Sequence, residues 1–97
     1  TVVASPDGRA AIIPTGNSAM GTGGTGDVLT GVVAALLGQR VPPWEAAVCA
    51  AYLHGLGGDL AAPGELGLLS HEVADAIPRA LTLVRAGQVD EGITHVG

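Results

Sequence analysis

The sequence predicts an α/β fold in which a short β-hairpin leads through a glycine-rich anion loop into a series of helices. Three observations predict it. Residues 1–4 and 10–13 are β-favouring runs separated by the turn signal Ser5-Pro6-Asp7-Gly8. Residues 14–26 form a loop that places Gly21, Gly23, Gly24 and Gly26 close together. From Asp27 onward, apolar residues recur at helical spacing in three successive segments.

The hairpin pairs residues 1–4 with Ala10 to Ile13 and leaves Arg9 at the exposed turn. The loop follows. Glycines carry no Cβ, so the backbone there can take positive φ and let another molecule approach closely. The helix behind it directs unpaired N–H groups and a positive dipole end at the loop. Together these make an anion site, most often for phosphate. Asn17 is expected to bond its own backbone in a turn, or alternatively to orient a phosphate group, and Met20 to pack.

Asp27 stands where the loop becomes helix, and two readings apply to it. It suits a helix N-cap. It also suits a general base, because the helix dipole holds it ionised and a neighbouring phosphate would bring a hydroxyl within its reach. The two roles are compatible.

Two phosphate motifs share letters with this loop. Gly21-x-Gly23-x-x-Gly26 matches the dinucleotide fingerprint, and Glu45 lies 19 residues past Gly26. That fingerprint needs a strand directly before the loop and a parallel strand after the helix. Here Pro14, Gly16 and Asn17 intervene, and Pro42-Pro43-Trp44-Glu45 reads as another helix start. Gly21-x-x-x-x-Gly26 has Walker A spacing, but the chain contains no lysine. An aspartate where that lysine belongs would repel phosphate, so the P-loop is excluded.

The first helix runs from Asp27 to about Leu37. Val28, Leu29, Val32, Val33, Leu36 and Leu37 form one face, and Thr30, Gly31, Ala34, Ala35 and Gly38 the other. A helix without a charged face is expected to be buried on all sides, against a sheet that is mostly missing from this chain. Gly38 falls near its C-terminal cap. Pro42-Pro43 opens a second helix, Trp44 to about Ala62, with Glu45 complementing its dipole. Gly55, Gly57 and Gly58 cost about 1 kcal/mol each there relative to Ala, which suggests a tight crossing, a bend or a nearby ligand. Cys49 reads as a small core residue. His54 and Asp59 are five apart, a poor spacing for shared metal ligation. His54 reads as a packing residue with a hydrogen bond, or as support for a nucleotide pocket. After a loop over 63–69, Ser70 caps a third helix that Pro78 either kinks or divides. Residues 88–97 lack a strong period and read as a tail, with His95 exposed.

Ninety-seven residues allow one small domain. The net charge of −5 argues against a nucleic-acid partner, which requires a basic face, but not against a nucleotide held by backbone dipoles. No run of 18 apolar residues is present, so no membrane partner is expected. A cytoplasmic location is expected.

The string Asn17-x-x-Met20-x-Thr22-Gly23-Gly24-Thr25-Gly26-Asp27-Val28-Leu29-Thr30-Gly31 resembles the signature of the ADP- or ATP-dependent NAD(P)H-hydrate dehydratases of the ribokinase-like superfamily. The resemblance extends through Thr1 to Arg9 and Tyr52 to Ala61, and covers roughly residues 1–81. The Gly-x-Gly-Asp core is shared across the superfamily, while the longer string is more specific. The resemblance implies that residues 1–97 are the C-terminal portion of a three-layer α/β/α nucleotide-binding domain. It implies nucleotide binding by Gly23, Gly24, Thr25 and Gly26, with Asp27 as the catalytic base that also binds substrate. No protein ligands to a metal are implied, but Mg2+ is expected with the ADP or ATP phosphoryl donor. The implied partners are hydrated NADH or NADPH and an adenine nucleotide, in a homo-oligomeric parent. Thr1 would close a Lys-Gly-x-x-Thr segment that touches the nucleotide, but the rest of that segment is absent here and an ordinary strand threonine is the preferred reading. The alternatives are a small-molecule kinase of the same superfamily, acting on a sugar or vitamin alcohol, and a non-catalytic fragment.

Overall fold

The computed structural model of the chain describes residues 1–16, 25–61, 70–85 and 92–96. Strands β1 (Val2–Ala4) and β2 (Ala10–Ile12) are followed by helices α1 (Thr25–Gly38), α2 (Pro43–Ala61) and α3 (Ser70–Arg85), and then by strand β3 (Thr94–Val96). The strands form one antiparallel sheet in the order β1-β2-β3.

The hairpin forms where the turn chemistry places it. The Gly8 amide donates to the Ser5 carbonyl at 3.0 Å, and the Ser5 amide to the Arg9 carbonyl at 2.9 Å. Gly8 takes φ +94°, which a residue with a Cβ adopts only at a cost. Arg9 donates from Nε to Asp7 Oδ2 at 2.9 Å, and its guanidinium lies 4.6 Å from the centroid of the Trp44 ring. That cation–π contact ties the turn to the start of α2. Strand alternation sends the paired Val3 and Ala11 inward and the paired Val2 and Ile12 outward.

Residues 94–96 correct the expectation of a tail. They pair with β2 in the register Ala10↔Val96, Ala11↔His95 and Ile12↔Thr94. Three residues are too short to show a period, and all three are exposed, so the strand left no apolar alternation in the sequence. His95 is exposed as expected.

Helix α2 is the central element, not α1. Its residues 50–58 are all buried, and the core joins Val48, Ala51, Tyr52, Leu53 and Leu56 to Ala11 and Ile13 of the hairpin side and to Ala80 of α3. Alanines and glycines around its circumference let other elements approach from several directions. A methyl group at position 57, for example, would lie 3.1 Å from Ile77 Cδ1 and 3.3 Å from the Val73 carbonyl oxygen. In α1 no described side chain is buried: Val28, Leu29, Val32, Val33 and Leu36 are half-buried, and Leu37 is exposed. Cys49, expected in the core, is exposed as well. It lies one turn from exposed Glu45 on α2.

The helix ends follow capping rules. Pro42 offers its carbonyl to the Ala46 amide at 2.8 Å, and Pro43 takes the first helical position. At the end of α1 the left-handed residue is Arg40, at φ 65°, rather than Gly38. The Arg40 amide donates to the Leu37 carbonyl and the Val41 amide to the Leu36 carbonyl, which is the Schellman pattern displaced two residues past the glycine. Helix α3 continues through Pro78 as one element, with Pro78 on its exposed side.

Two outcomes test these local structures. Asp7 titrates below its ordinary 3.8, held down first by the Ser5 hydroxyl and then by the Arg9 amide and guanidinium. A carboxyl depressed in this way stabilises the fold fully above its unfolded pKa, and the contribution fades as pH falls through the folded value. Ser5→Ala should move the NMR titration midpoint of Asp7 upward. Arg40→Gly should stabilise the chain by about 0.5–1 kcal/mol in chemical denaturation, because glycine removes the left-handed strain.

Candidate functional site

The site begins where β2 ends. Pro14 cannot donate to a sheet, so the strand stops and the chain turns across α2. Two hydrogen bonds fix its course. Thr15 Oγ1 donates to the Tyr52 carbonyl at 2.9 Å, and the Gly16 amide donates to Asp59 Oδ2 at 3.0 Å. Gly16 adopts φ 110°, a conformation open to glycine. Between these bonds the backbone of Thr15 lies directly on Gly55. A methyl group there would be 2.6 Å from both the carbonyl carbon and the carbonyl oxygen of Thr15. Of the explanations open for the mid-helix glycines, a tight crossing therefore holds at Gly55. Tyr52, Gly55 and Asp59 are spaced by three and four residues, so they form one stripe along α2.

Beside this crossing is a cavity of about 480 Å³, lined by Thr1, Ile13, Pro14, Thr15, Gly16, His54 and Gly55. His54 is 8% exposed, the one buried polar or charged residue among those described. Thr1 accepts the Ile13 amide at its carbonyl at 2.9 Å, as a strand residue would, and also lines the cavity. His54 borders the cavity, and Asp59 holds Gly16. Among the described residues no group of three His, Cys, Asp or Glu could hold a metal.

The second part of the site is the first turn of α1. Thr25 and Gly26 belong to the helix and not to the loop, so Asp27 is the third helical residue and not the cap. The N-cap reading of Asp27 is corrected accordingly. Asp27 is exposed and carries the only acid of that turn. Its neighbours Thr25 and Gly26 contribute amides that an α-helix leaves without intrahelical partners. Thr30 donates from Oγ1 to the Gly26 carbonyl at 3.0 Å, which adds a side-chain bond to this turn. The expected contributions of Asn17, Met20, Gly23 and Gly24 lie outside the described residues.

Sequence reasoning missed the role of Asp59. The signal was present in the spacing from Tyr52 through Gly55 to Asp59, but nothing in the sequence indicated that the chain after β2 would cross that stripe.

Comparison with known proteins bears on this geometry. Residues 1–79 match the family model for NAD(P)H-hydrate dehydratase. The bifunctional NAD(P)H-hydrate repair enzyme of Moorella thermoacetica is 45% identical, over 90% of this chain and 18% of its own length. The ADP-dependent (S)-NAD(P)H-hydrate dehydratase of Bacillus subtilis is 43% identical, over 81% of this chain and 29% of its own. A crystal structure of the Bacillus subtilis ADP/ATP-dependent NAD(P)H-hydrate dehydratase, co-crystallised with ATP and Mg2+, superposes with a TM-score of 0.77 at 41% identity. That match covers 84% of this chain and 30% of the crystallised one, so the α/β fold is shared. The chain spans less than a third of the length of these relatives.

The crossing at Gly55 has a direct consequence for stability. Gly55→Ala, in the full polypeptide that carries this sequence, should destabilise by about 1–3 kcal/mol despite alanine's higher helix propensity, because the new methyl meets backbone. A fall in denaturation midpoint at constant m-value would register it.

Proposed function

This chain belongs to the NAD(P)H-hydrate dehydratase family, and from that premise we propose that the polypeptide carrying it uses ADP or ATP to dehydrate hydrated NADH and NADPH. The observation that carries the reading is the placement of Asp27. It is exposed on the first turn of α1, immediately after the amides of Thr25 and Gly26 and at the end of the glycine-rich sequence.

The chemistry runs in two steps. The hydroxyl on the hydrated nicotinamide ring attacks the terminal phosphorus of the nucleotide, and the Asp27 carboxylate takes its proton. The bond from that phosphorus to the leaving oxygen breaks, releasing AMP from ADP or ADP from ATP. Phosphate then leaves the ring with the electrons of the carbon–oxygen bond. The adjacent ring carbon gives up a proton, and the double bond of the reduced nicotinamide is restored. No electron is gained or lost overall.

The protein's share of the first step is electrostatic and positional. Amides of Gly23, Gly24, Thr25 and Gly26 hold the phosphoryl oxygens, and the dipole of α1 adds positive potential. Mg2+ bound with the nucleotide would neutralise phosphate charge. An aspartate at this position is consistent with the reading because its carboxylate can accept the hydroxyl proton. The same reading gives a homo-oligomer in the cytoplasm without nucleic-acid or membrane partners. The net charge of −5 supports the first exclusion, and no described helix is long and apolar enough to cross a membrane.

Asp27→Asn, in the full polypeptide that carries this sequence, should lower kcat by roughly 10²- to 10⁴-fold, the range for a lost general base. Nucleotide affinity by calorimetry should stay within about twofold. Turnover near that of the wild type would refute the base assignment. Accumulation of a phosphorylated alcohol without dehydration would assign a kinase instead.

A further inference from the structure

We propose that Asp59 is a positioning residue for the nucleotide site: through its hydrogen bond to the Gly16 amide it sets the direction in which the chain enters the glycine-rich sequence. The inference rests on the phosphoryl-transfer reading above, and it assigns a task to a side chain that takes no part in the chemistry.

Four observations converge on Asp59. Its carboxylate receives the Gly16 amide at 3.0 Å across 43 residues of sequence. Gly16 has φ 110°, so this amide is aimed by a backbone conformation that a residue with a Cβ would seldom adopt. One residue earlier, Thr15 is bonded to the Tyr52 carbonyl of the same helix and seated on Gly55. Finally, α2 is buried through residues 50–58, so the stripe that bears Tyr52 and Gly55 is held by the core, and Asp59 follows directly on it.

The Thr15 contact alone fixes a position but leaves rotation about the following bonds. A second bond, at the next residue and to a side chain one helical turn further along, removes that freedom. Asp59 therefore fixes orientation where Gly55 and Tyr52 fix place. Orientation matters here because backbone amides bind phosphate only when they point at it, whereas a lysine can reach for it. The carboxylate suits the task because a charge-assisted bond to an amide is stronger than a neutral one.

The test uses the full polypeptide that carries this sequence, with ATP–Mg2+ and ADP–Mg2+ binding followed by calorimetry and turnover of hydrated NADH followed in parallel. Asp59→Ala should weaken nucleotide binding about tenfold and raise the nucleotide KM in step, while the KM for hydrated NADH stays within twofold. Asp59→Asn keeps an oxygen acceptor at the same reach and should restore nucleotide affinity to within about threefold. Asp59→Glu shifts the acceptor by one methylene and should weaken nucleotide binding at an unchanged melting temperature. It serves as the decisive variant if the alanine protein does not fold. A purely structural role would lower the melting temperature and the fraction of binding-competent protein while leaving the nucleotide Kd of the folded fraction unchanged, and that result would overturn the proposal. So would wild-type nucleotide affinity in both Asp59→Ala and Asp59→Glu. A wild-type protein that binds no nucleotide would instead overturn the phosphoryl-transfer reading itself, so the two failures are distinguishable.

Discussion

The close seating of Thr15 on Gly55 is the contact on which the arrangement of the site depends. It brings the backbone leaving β2 against the buried helix at a distance that no residue larger than glycine would permit. The hydrogen bonds on either side of it follow from that approach. A Cβ at position 55 would move the chain away from α2, and both the Tyr52 carbonyl and the Asp59 carboxylate would lose reach. One missing methyl group thus lets the chain that leaves β2 cross α2 at Thr15.

Small side chains let the rest of this chain, which spans less than a third of the length of its relatives, enclose α2 from several sides. Helix α1 carries the larger apolar residues, Val28, Leu29, Val32, Val33, Leu36 and Leu37, and hydropathy alone would bury it. Helix α2 instead has Ala46, Ala50, Ala51, Gly55, Gly57 and Gly58 distributed around its surface. Small residues let the backbones of neighbouring elements approach from several sides at once, so Thr15 and α3 both contact this helix. In α3 the apolar residues occupy one stripe, with Val73 and Ala80 buried and Asp75 and Arg79 exposed. It covers one side of α2 and presents its charges outward. The half-buried valines of α1 pack with their neighbours through one face only.

How far the sequence reveals this structure depends on the length scale of the signal. The hairpin was legible because Ser5, Pro6, Asp7 and Gly8 encode a turn locally. The three helices were legible because a period of 3.6 repeats several times in each. The end of α1 at Gly38 was legible, but the left-handed position belongs to Arg40, where the Schellman bonds close. Strand β3 was not legible, since three exposed residues carry no period and their pairing partner, β2, lies more than eighty residues earlier in the sequence. For the site, the sequence offers Asp27 and its neighbours as candidates because they are contiguous, and the family resemblance singles them out. Asp59 could not, because its partner Gly16 is remote in sequence and the crossing that joins them is a tertiary event.

The charge balance explains why so much structure is devoted to aiming a loop. The chain is acidic overall and has no lysine, and two of its four arginines lie away from the first turn of α1. Arg9 is paired with Asp7 and stacked on Trp44. Arg40 follows the far end of α1, about 20 Å from Thr25 at 1.5 Å per residue. In the phosphoryl-transfer reading proposed above, amide dipoles at the first turn of α1 meet the phosphate. The field of a dipole falls off faster with distance than that of a charge and reverses with orientation, so amides stabilise phosphate only over a narrow range of angles. A flexible cationic side chain tolerates error in the backbone, and a cluster of amides does not. The constraint on the backbone accordingly comes from outside the anion site, through the buried helix that holds Thr15 and Gly16.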